Sequence, residues 1–463
     1  MPSAGSPEPS PPGISPRSKA ESSLFHRSQK EKPLKIVSGS GVTFTLEDGR
    51  QVIDASAGPS VACLGHQEPR VRKAIMDQMQ SIAYAYSMGY TTDAAEDLAA
   101  QILRGQPGGL SKAIFVNSGS EATDAALKLA SQYWIEKGKP SKQQFIARKQ
   151  SYHGNTLGAL CVSGHESRRA FYSPWMSQNV TLVDPCYSYR GREPDETDSV
   201  YVARLRDQLE TTILDLGEQN VAAFILETIP GTTLGCVPPS QGYLRAMREV
   251  CDKYDVLLIL DEIMCGMGKT GAMHAWQLQD IRGPDIQTIG KALGGGFVPI
   301  SGVLSTQEVF EAVANGSQTL AHGHTFQAPP TACAAALEVQ RIVEERDLLA
   351  NVTARGSQLE KELREELSDL PHVGDVRGQG LFWAVEFMQD PGRGQPFLKG
   401  SEYSDRIVSE AQKLGLNILG TLGHTGRHHV EHVIISPPYI VNQHEITEIV
   451  ARLKAAILVV DAQ

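Results

Sequence analysis

Val256-Leu257-Leu258-Ile259-Leu260-Asp261 and, further along, Ile286-Gln287-Thr288-Ile289-Gly290-Lys291 are the stretches that decide the fold. Each is a short apolar segment that stops at a residue able to do chemistry. Two earlier runs have the same make-up: Ala113-Ile114-Phe115-Val116 ends at Asn117, and Val221-Ala222-Ala223-Phe224-Ile225-Leu226 ends at Glu227. Apolar runs of this length, alternating with helical patterns, suit strands buried on both faces of a largely parallel sheet. Ligands of open α/β sheets sit at the carboxyl ends of the strands. Asn117, Glu227, Asp261 and Lys291 are therefore expected to face one crevice, and the fold class is α/β.

The residues around these ends admit specific chemistry. Asn117-Ser118-Gly119-Ser120-Glu121-Ala122 leads from a strand into a helix predicted over 122–137, and the unpaired amides of such a turn suit a phosphate. An ordinary N-cap by Ser120 explains the same residues. Ser151-Tyr152-His153-Gly154 sets an aromatic beside a glycine, which allows close approach to a flat ring; a packed turn is the alternative. Asp261 closes the most apolar strand of the chain, and a buried carboxylate needs a partner. A pyridinium N–H would serve, in a charge-assisted bond worth roughly 1.5–3 kcal/mol, and would keep the ring protonated as an electron sink. Capping of the glycine-rich turn that follows is the other explanation. Lys291, between an apolar strand and Gly294-Gly295-Gly296, is partly desolvated. That lowers its pKa and frees its amine to form a Schiff base. Gly323-His324-Thr325-Phe326 offers a hydroxyl and amides for a second hold on a phosphate.

Further from the decisive stretch, Val42–Leu46 and Val52–Asp54 flank Asp48-Gly49 and predict a β-hairpin. A helix is expected over 69–82, a long amphipathic helical region over 338–370, and a strand over 382–387. A final helix is capped by Asn442, with Ile446, Ile449, Val450, Leu453 and Ile457 on one face. Residues 1–33, rich in Pro, Ser and Gly, read as a disordered tail. The chain has 463 residues, 41% of them hydrophobic, enough for a sizeable core. Its net charge of -10 and the absence of a basic run argue against nucleic acid as a partner. No run approaches the length of a membrane span. Seven scattered cysteines without a CxxC pair suit a reducing compartment, and the expected location is cytoplasmic. No metal site is expected.

Taken together, Asn117 to Ala122, Tyr152-His153-Gly154, the run from Leu260 to Gly271, Gly290-Lys291 and His322-Gly323-His324-Thr325-Phe326 resemble the class III (ω-type) pyridoxal-5'-phosphate (PLP) aminotransferases, in order and in the separation of Asp261 from Lys291. The resemblance runs from about residue 35 to the C-terminus. It implies fold-type I, with a large PLP domain (96–330) and a small α+β domain made from both chain ends (34–95 and 331–463). It implies that Lys291 binds the cofactor covalently and then carries the proton between substrate Cα and cofactor C4'. Asp261 would pair with the pyridine nitrogen, Tyr152 and Ile263 would cover the two ring faces, and Gly119 and Ser120 would hold the phosphate. His153 belongs to the same cofactor site, and Glu227 would lie near the cofactor and the substrate end. Thr325 would come from the second subunit of a homodimer with shared active sites.

Several positions depart from the family's better-known members. Met264 stands where some have a glutamine. Thr232 and Ile434 stand where ornithine- and γ-aminobutyrate-type members carry a glutamate and an arginine. Arg427 falls near the mobile arginine of amine:pyruvate members, and Ser60 replaces their bulky tryptophan. Arg427 is thus the candidate carboxylate binder, and Ser60 the position that widens the donor site. The expected activity is transfer of an amino group from an amine or ω-amino acid to a 2-oxo acid, in a specialised biosynthetic pathway. A PLP-dependent decarboxylase or aminomutase is the alternative within the fold. A degenerate, non-enzymatic PLP-fold binding protein is the alternative outside catalysis, against which the intact Lys291 and Asp261 argue.

Overall fold

The structure, a computed structural model, describes residues 22–29, 32–421 and 423–463. Of the expected tail 1–33, residues 1–21, 30 and 31 lie outside the described residues, whereas 22–29 run without helix or strand. The strands in chain order are β1 (Ile36–Ser40), β2 (Thr43–Leu46), β3 (Gln51–Asp54), β4 (Leu110–Val116), β5 (Gln144–Arg148), β6 (Val180–Val183), β7 (Val221–Glu227), β8 (Leu257–Asp261), β9 (Ile286–Ile289), β10 (Ser301–Thr306), β11 (Val373–Gln379), β12 (Phe382–Phe387), β13 (Leu416–Asn417), β14 (Leu419–Gly420) and β15 (Glu431–Ile435).

The large sheet has the order β4-β10-β9-β8-β7-β5-β6. Pairing from β9 through to β6 is parallel, and every residue of β7, β8 and β9 is buried. This is the expected mainly parallel sheet, with helices on its faces supplying the cover that two-sided burial demands. Three strands of this sheet escaped the sequence reading, β5, β6 and β10, and the last of them runs antiparallel to both β9 and β4. Its direction has a consequence for the site, because its first residue, Ser301, pairs with Val116 at the carboxyl end of β4. In register, Glu227 pairs with Asp261 and Asp261 with Thr288, so three polar residues stand in a row along one edge.

Two smaller sheets flank this one. The predicted hairpin forms as β2 and β3, extended by β1 on one side and by a parallel pairing with β13 on the other. The second sheet has the order β11-β12-β15-β14. The helix Gln443–Asp461 starts at Asn442 with a full capping box to Glu445, and it buries Ile446, Ile449, Val450, Leu453 and Ile457 as its periodicity requires. The long helical region expected over 338–370 is instead two helices, Pro330–Glu345 and Leu348–Leu367. Asp347 between them takes a left-handed backbone, with φ at 47°, and breaks the ladder. The first of the pair packs on the helices Pro69–Ser81 and Asp93–Ile102.

Candidate active site

A cavity of about 400 Å³ opens at the carboxyl edge of the large sheet. Lys291, Asp261, Glu227, Tyr152, His153, Ile263, Gly119 and Ser120 all line it. The sequence placed Glu227, Asp261 and Lys291 at separate strand ends, and the parallel register gathers them with the others.

Asp261 is almost fully buried at the floor. Its Oδ1 accepts from the Ile263 amide at 3.0 Å and from Thr288 Oγ1 at 3.1 Å, and its Oδ2 meets His153 Nδ1 at 2.7 Å. A carboxylate offers about four lone-pair sites, so these three bonds leave one free. His153 is held in turn: its amide donates to Ser163 Oγ at 2.8 Å, and its carbonyl accepts from Thr123 Oγ1 at 2.7 Å.

Lys291 follows β9 with its backbone in the left-handed region, φ 47°. The residue is exposed only partly, toward the cavity. Burial lowers its pKa below that of a free lysine, and the carboxylates of Asp261 and Glu227 oppose that shift without cancelling it. Gly290 before it is required by space, since a Cβ there would come within 2.5 Å of Ser301 Oγ. Glu227 is buried, and burial raises its pKa; His153 and Arg148 pull it down, while Asp261 pushes it up. Its Oε2 accepts from the Tyr152 amide at 3.2 Å, which ties the aromatic segment to β7.

Gly119 and Ser120 open the helix Gly119–Glu136, where Ser118 Oγ caps the Glu121 amide at 3.2 Å. Ser118 is thus the cap, not Ser120. The amides of Gly119 and Ser120 belong to the first turn, which has no intrahelical acceptors. A Cβ on Gly119 would lie 2.8 Å from Ile263 Cδ1, so glycine lets these two walls approach. Ser120 Oγ accepts from the Asn155 amide at 2.9 Å.

Other expected residues stand elsewhere. Ser60 is buried, with Oγ 2.7 Å from Ser436 Oγ; its neighbours Pro59 and Val61 line the cavity in its place. Arg427 is exposed and borders a separate cavity shared with Asp184 and Arg190. Thr325 lies outside the cavity on an exposed segment, its carbonyl accepting from Tyr84 Oη at 3.0 Å. Thr232 and Met264 do line the cavity, whereas Ile434 is buried in an apolar cluster with Ile229 and Phe382.

The sequence reading missed Thr288 and Arg168. Thr288 carried a signal: a polar residue inside a fully buried strand needs a partner, and Asp261 is that partner. Arg168 carried none, because it lies on the four-residue helical turn Glu166–Arg169, far from any strand end.

A mainly parallel sheet that presents a buried aspartate and a desolvated lysine to one crevice suits a fold-type I PLP enzyme, and the comparisons with known proteins agree. The chain belongs to the class III aminotransferases, whose family description, Aminotransferase class-III, matches residues 24–457. It is 40% identical over 448 residues to an uncharacterized aminotransferase of Schizosaccharomyces pombe, covering 95% of this chain and 96% of that one. It is 39% identical over 433 residues to an aminotransferase of Gibberella zeae, covering 93% and 84% respectively. The solved ω-transaminase of Pseudomonas jessenii in complex with PMP is similar at a TM-score of 0.88 and 32% identity, over 93% of each chain. The protein is accordingly a PLP-dependent aminotransferase. Among the described residues no helix is long and apolar enough to cross a membrane, and no cluster of three or more His, Cys, Asp or Glu side chains could hold a metal ion.

Proposed function

We propose that Lys291 and Asp261 are the catalytic pair of an aminotransferase that takes its amino group from an amine or ω-amino acid and passes it to a 2-oxo acid. The observation that carries this reading is the single free acceptor site on Asp261, in the same cavity as a lysine whose pKa burial has lowered. The residues fit pyridoxal phosphate. The remaining Asp261 lone pair suits the ring N–H, the amides of Gly119 and Ser120 suit the phosphate, and Tyr152 and Ile263 suit the ring faces, with His153 fixing the aspartate. When bound, the cofactor supplies an electron sink for the pair left at the substrate carbon. Asp261 keeps the ring nitrogen protonated. Lys291 Nζ would hold the cofactor through its aldehyde, and once the incoming donor amine had displaced it, the freed amine would be placed to take up and return the proton of substrate Cα. Glu227 holds the Tyr152 segment and borders the substrate end. Ser60 acts on the donor side only through Pro59 and Val61. Arg427 would need its loop to move before it could reach a substrate.

The assembly belongs to the same proposal: a homodimer in which Thr325 of each subunit completes the phosphate site of the other. Exposed Met79, Tyr84, Tyr86, Met88, Tyr90 and Phe326 support it, since exposed apolar side chains that lie together, as the Tyr84 and Phe326 rings do, favour an interface. The chain would divide into a large domain over 96–330 and a small one from 34–95 with 331–463. A cytoplasmic location is supported by seven cysteines that are all free and buried.

The test is spectroscopic. Purified protein should show the absorbance of lysine-bound cofactor, Lys291→Ala should lose it, and an amino donor added alone should convert it to the pyridoxamine form. Carbon dioxide release in place of that conversion would turn the reading to a decarboxylase. A Lys291→Ala protein with the wild-type spectrum would end it.

A further inference from the structure

Two guanidinium groups face the proposed catalytic cavity, and among the described residues neither forms an ion pair. Arg168 lines its wall, with Cζ 4.7 Å from the centre of the Tyr152 ring. It is half-buried, its Nε has no hydrogen-bond partner, and among the described residues it makes no ion pair. Arg27, from the N-terminal segment 22–29, lines the same cavity and is likewise without an ion pair among the described residues. The two are close enough to repel: burial lowers the Arg168 pKa, and the positive charge of Arg27 lowers it further, against the pull of Tyr152.

A half-buried cation set beside a second cation is costly unless an anion joins them. An arginine already seated over an aromatic ring has given up part of its side-chain freedom, so its planar donor fork is ready for a carboxylate. The remaining polar residues of the cavity do not meet that need. Asp261 is occupied by three donors, and Glu227 is tied to the Tyr152 amide. Among the described residues that line the cavity, Arg27 and Arg168 are the only arginines, and Thr232, which lines it too, is uncharged.

We propose that Arg168, seated on Tyr152, is the specificity-determining residue that binds the substrate's carboxylate, with Arg27 approaching the same anion from the N-terminal segment. The inference deepens the aminotransferase reading and rests on it. The substrate class that follows is a carboxylate-bearing donor or acceptor, a dicarboxylate being the fullest match for two guanidiniums. Tyr152 then has two tasks, ring cover on one side and arginine platform on the other. Because Arg27 is exposed, its share is the one that added salt screens.

The test begins with a ligand that does not react. Succinate is titrated into the holoenzyme by calorimetry. Arg168→Gln should weaken its binding roughly ten- to a hundredfold, the span expected for a charge-assisted bond. Arg168→Lys should recover part of the loss, as a point charge without the planar fork. Arg27→Glu, a change on an exposed segment that cannot disturb the core, should weaken succinate by about tenfold or more, because the new carboxylate pairs with Arg168 and takes the ligand's place. It keeps the test open should Arg168→Gln fail to fold. Turnover separates the source of the carboxylate: the kcat/KM ratio of β-alanine to propylamine reports a donor carboxylate, and that of pyruvate to acetaldehyde an acceptor carboxylate. At least one ratio should fall about tenfold or more in Arg168→Gln. Unchanged succinate binding in both Arg168→Gln and Arg27→Glu overturns the proposal. So does an equal effect on both members of each substrate pair, or loss of bound cofactor from Arg168→Gln, which would make the guanidinium a cofactor holder. Failure of the Lys291 reading shows instead as a wild-type cofactor spectrum in Lys291→Ala.

Discussion

Replacing Gly119 by alanine tests how closely the two walls of the cavity are fitted. The new Cβ would stand 2.8 Å from Ile263 Cδ1 and 3.1 Å from its Cγ2. Carbon atoms rest at about 3.5–4.0 Å, so Cδ1 must retreat by about 1 Å and Cγ2 by about half that. Rotation about χ2 moves Cδ1 alone. Cγ2 moves only with χ1, which is stiff in a β-branched side chain, so relieving both contacts strains that rotamer or shifts the backbone of one wall. Overpacking of this kind costs about 1–3 kcal/mol, and the lower unfolded-state entropy of alanine offsets about 0.4–1 kcal/mol of it. The expected net destabilisation is about 1–2 kcal/mol, with cofactor affinity falling roughly tenfold as Ile263 is pushed into the cavity. Ile263→Val removes Cδ1 and alone costs about 0.5–1.5 kcal/mol. In the double variant it should relieve the contact, with a coupling of about 1 kcal/mol opposite in sign to the two losses. Urea midpoints and cofactor titrations of the four proteins measure this. A coupling smaller than about 0.3 kcal/mol, the scatter of independent sites, would refute the argument.

Three further outcomes follow from the same geometry. Asp261→Asn keeps the shape of the floor but loses the charge, so cofactor binding should weaken by roughly tenfold or more and donor-only conversion should slow further; an equilibrium titration and a single-turnover trace separate the two. Gly290→Ala drives a Cβ to 2.5 Å from Ser301 Oγ and should displace Lys291, lowering covalent loading; adding Ser301→Ala should restore it in part, and a loading assay that finds no difference counts against the steric explanation. Burial holds the pKa of His274 down at about 4 and that of His432 down at about 3, so unfolding takes up protons below the ordinary histidine value of 6.5. The stability these neutral rings contribute is present above pH 6.5 and is lost as pH falls through about 4; urea midpoints measured across that window should decline, and a flat profile would contradict it.

Periodicity and strand ends carried most of the sheet. Four apolar runs mark β4, β7, β8 and β9, and the residues after them, Asn117, Glu227, Asp261 and Lys291, do share the cavity. What could not be read follows a physical pattern. The strands β5, β6 and β10 carry polar residues within short apolar segments and so do not stand out as strands, and the direction of β10 depends on its connection, not its composition. Ser60 sits in a left-handed turn that aims its hydroxyl at Ser436, and position alone gives no hint of that aim. The break at Asp347 is a single-residue backbone choice inside a helical pattern. Arg168 reaches the cavity through tertiary packing on Tyr152, and its charged surroundings in the sequence, Glu166-Ser167-Arg168-Arg169, read as a solvated turn.

The parallel pairing of β3 with β13 sets a timetable for synthesis. Ile53 and Asp54 are made early, yet their partners Leu416 and Asn417 leave the ribosome only after most of the chain has been translated. Until then the hairpin's flank is an unpaired edge, open to mispairing and aggregation. A late, long-range closure of this kind makes slow refolding and reliance on chaperones the natural expectation.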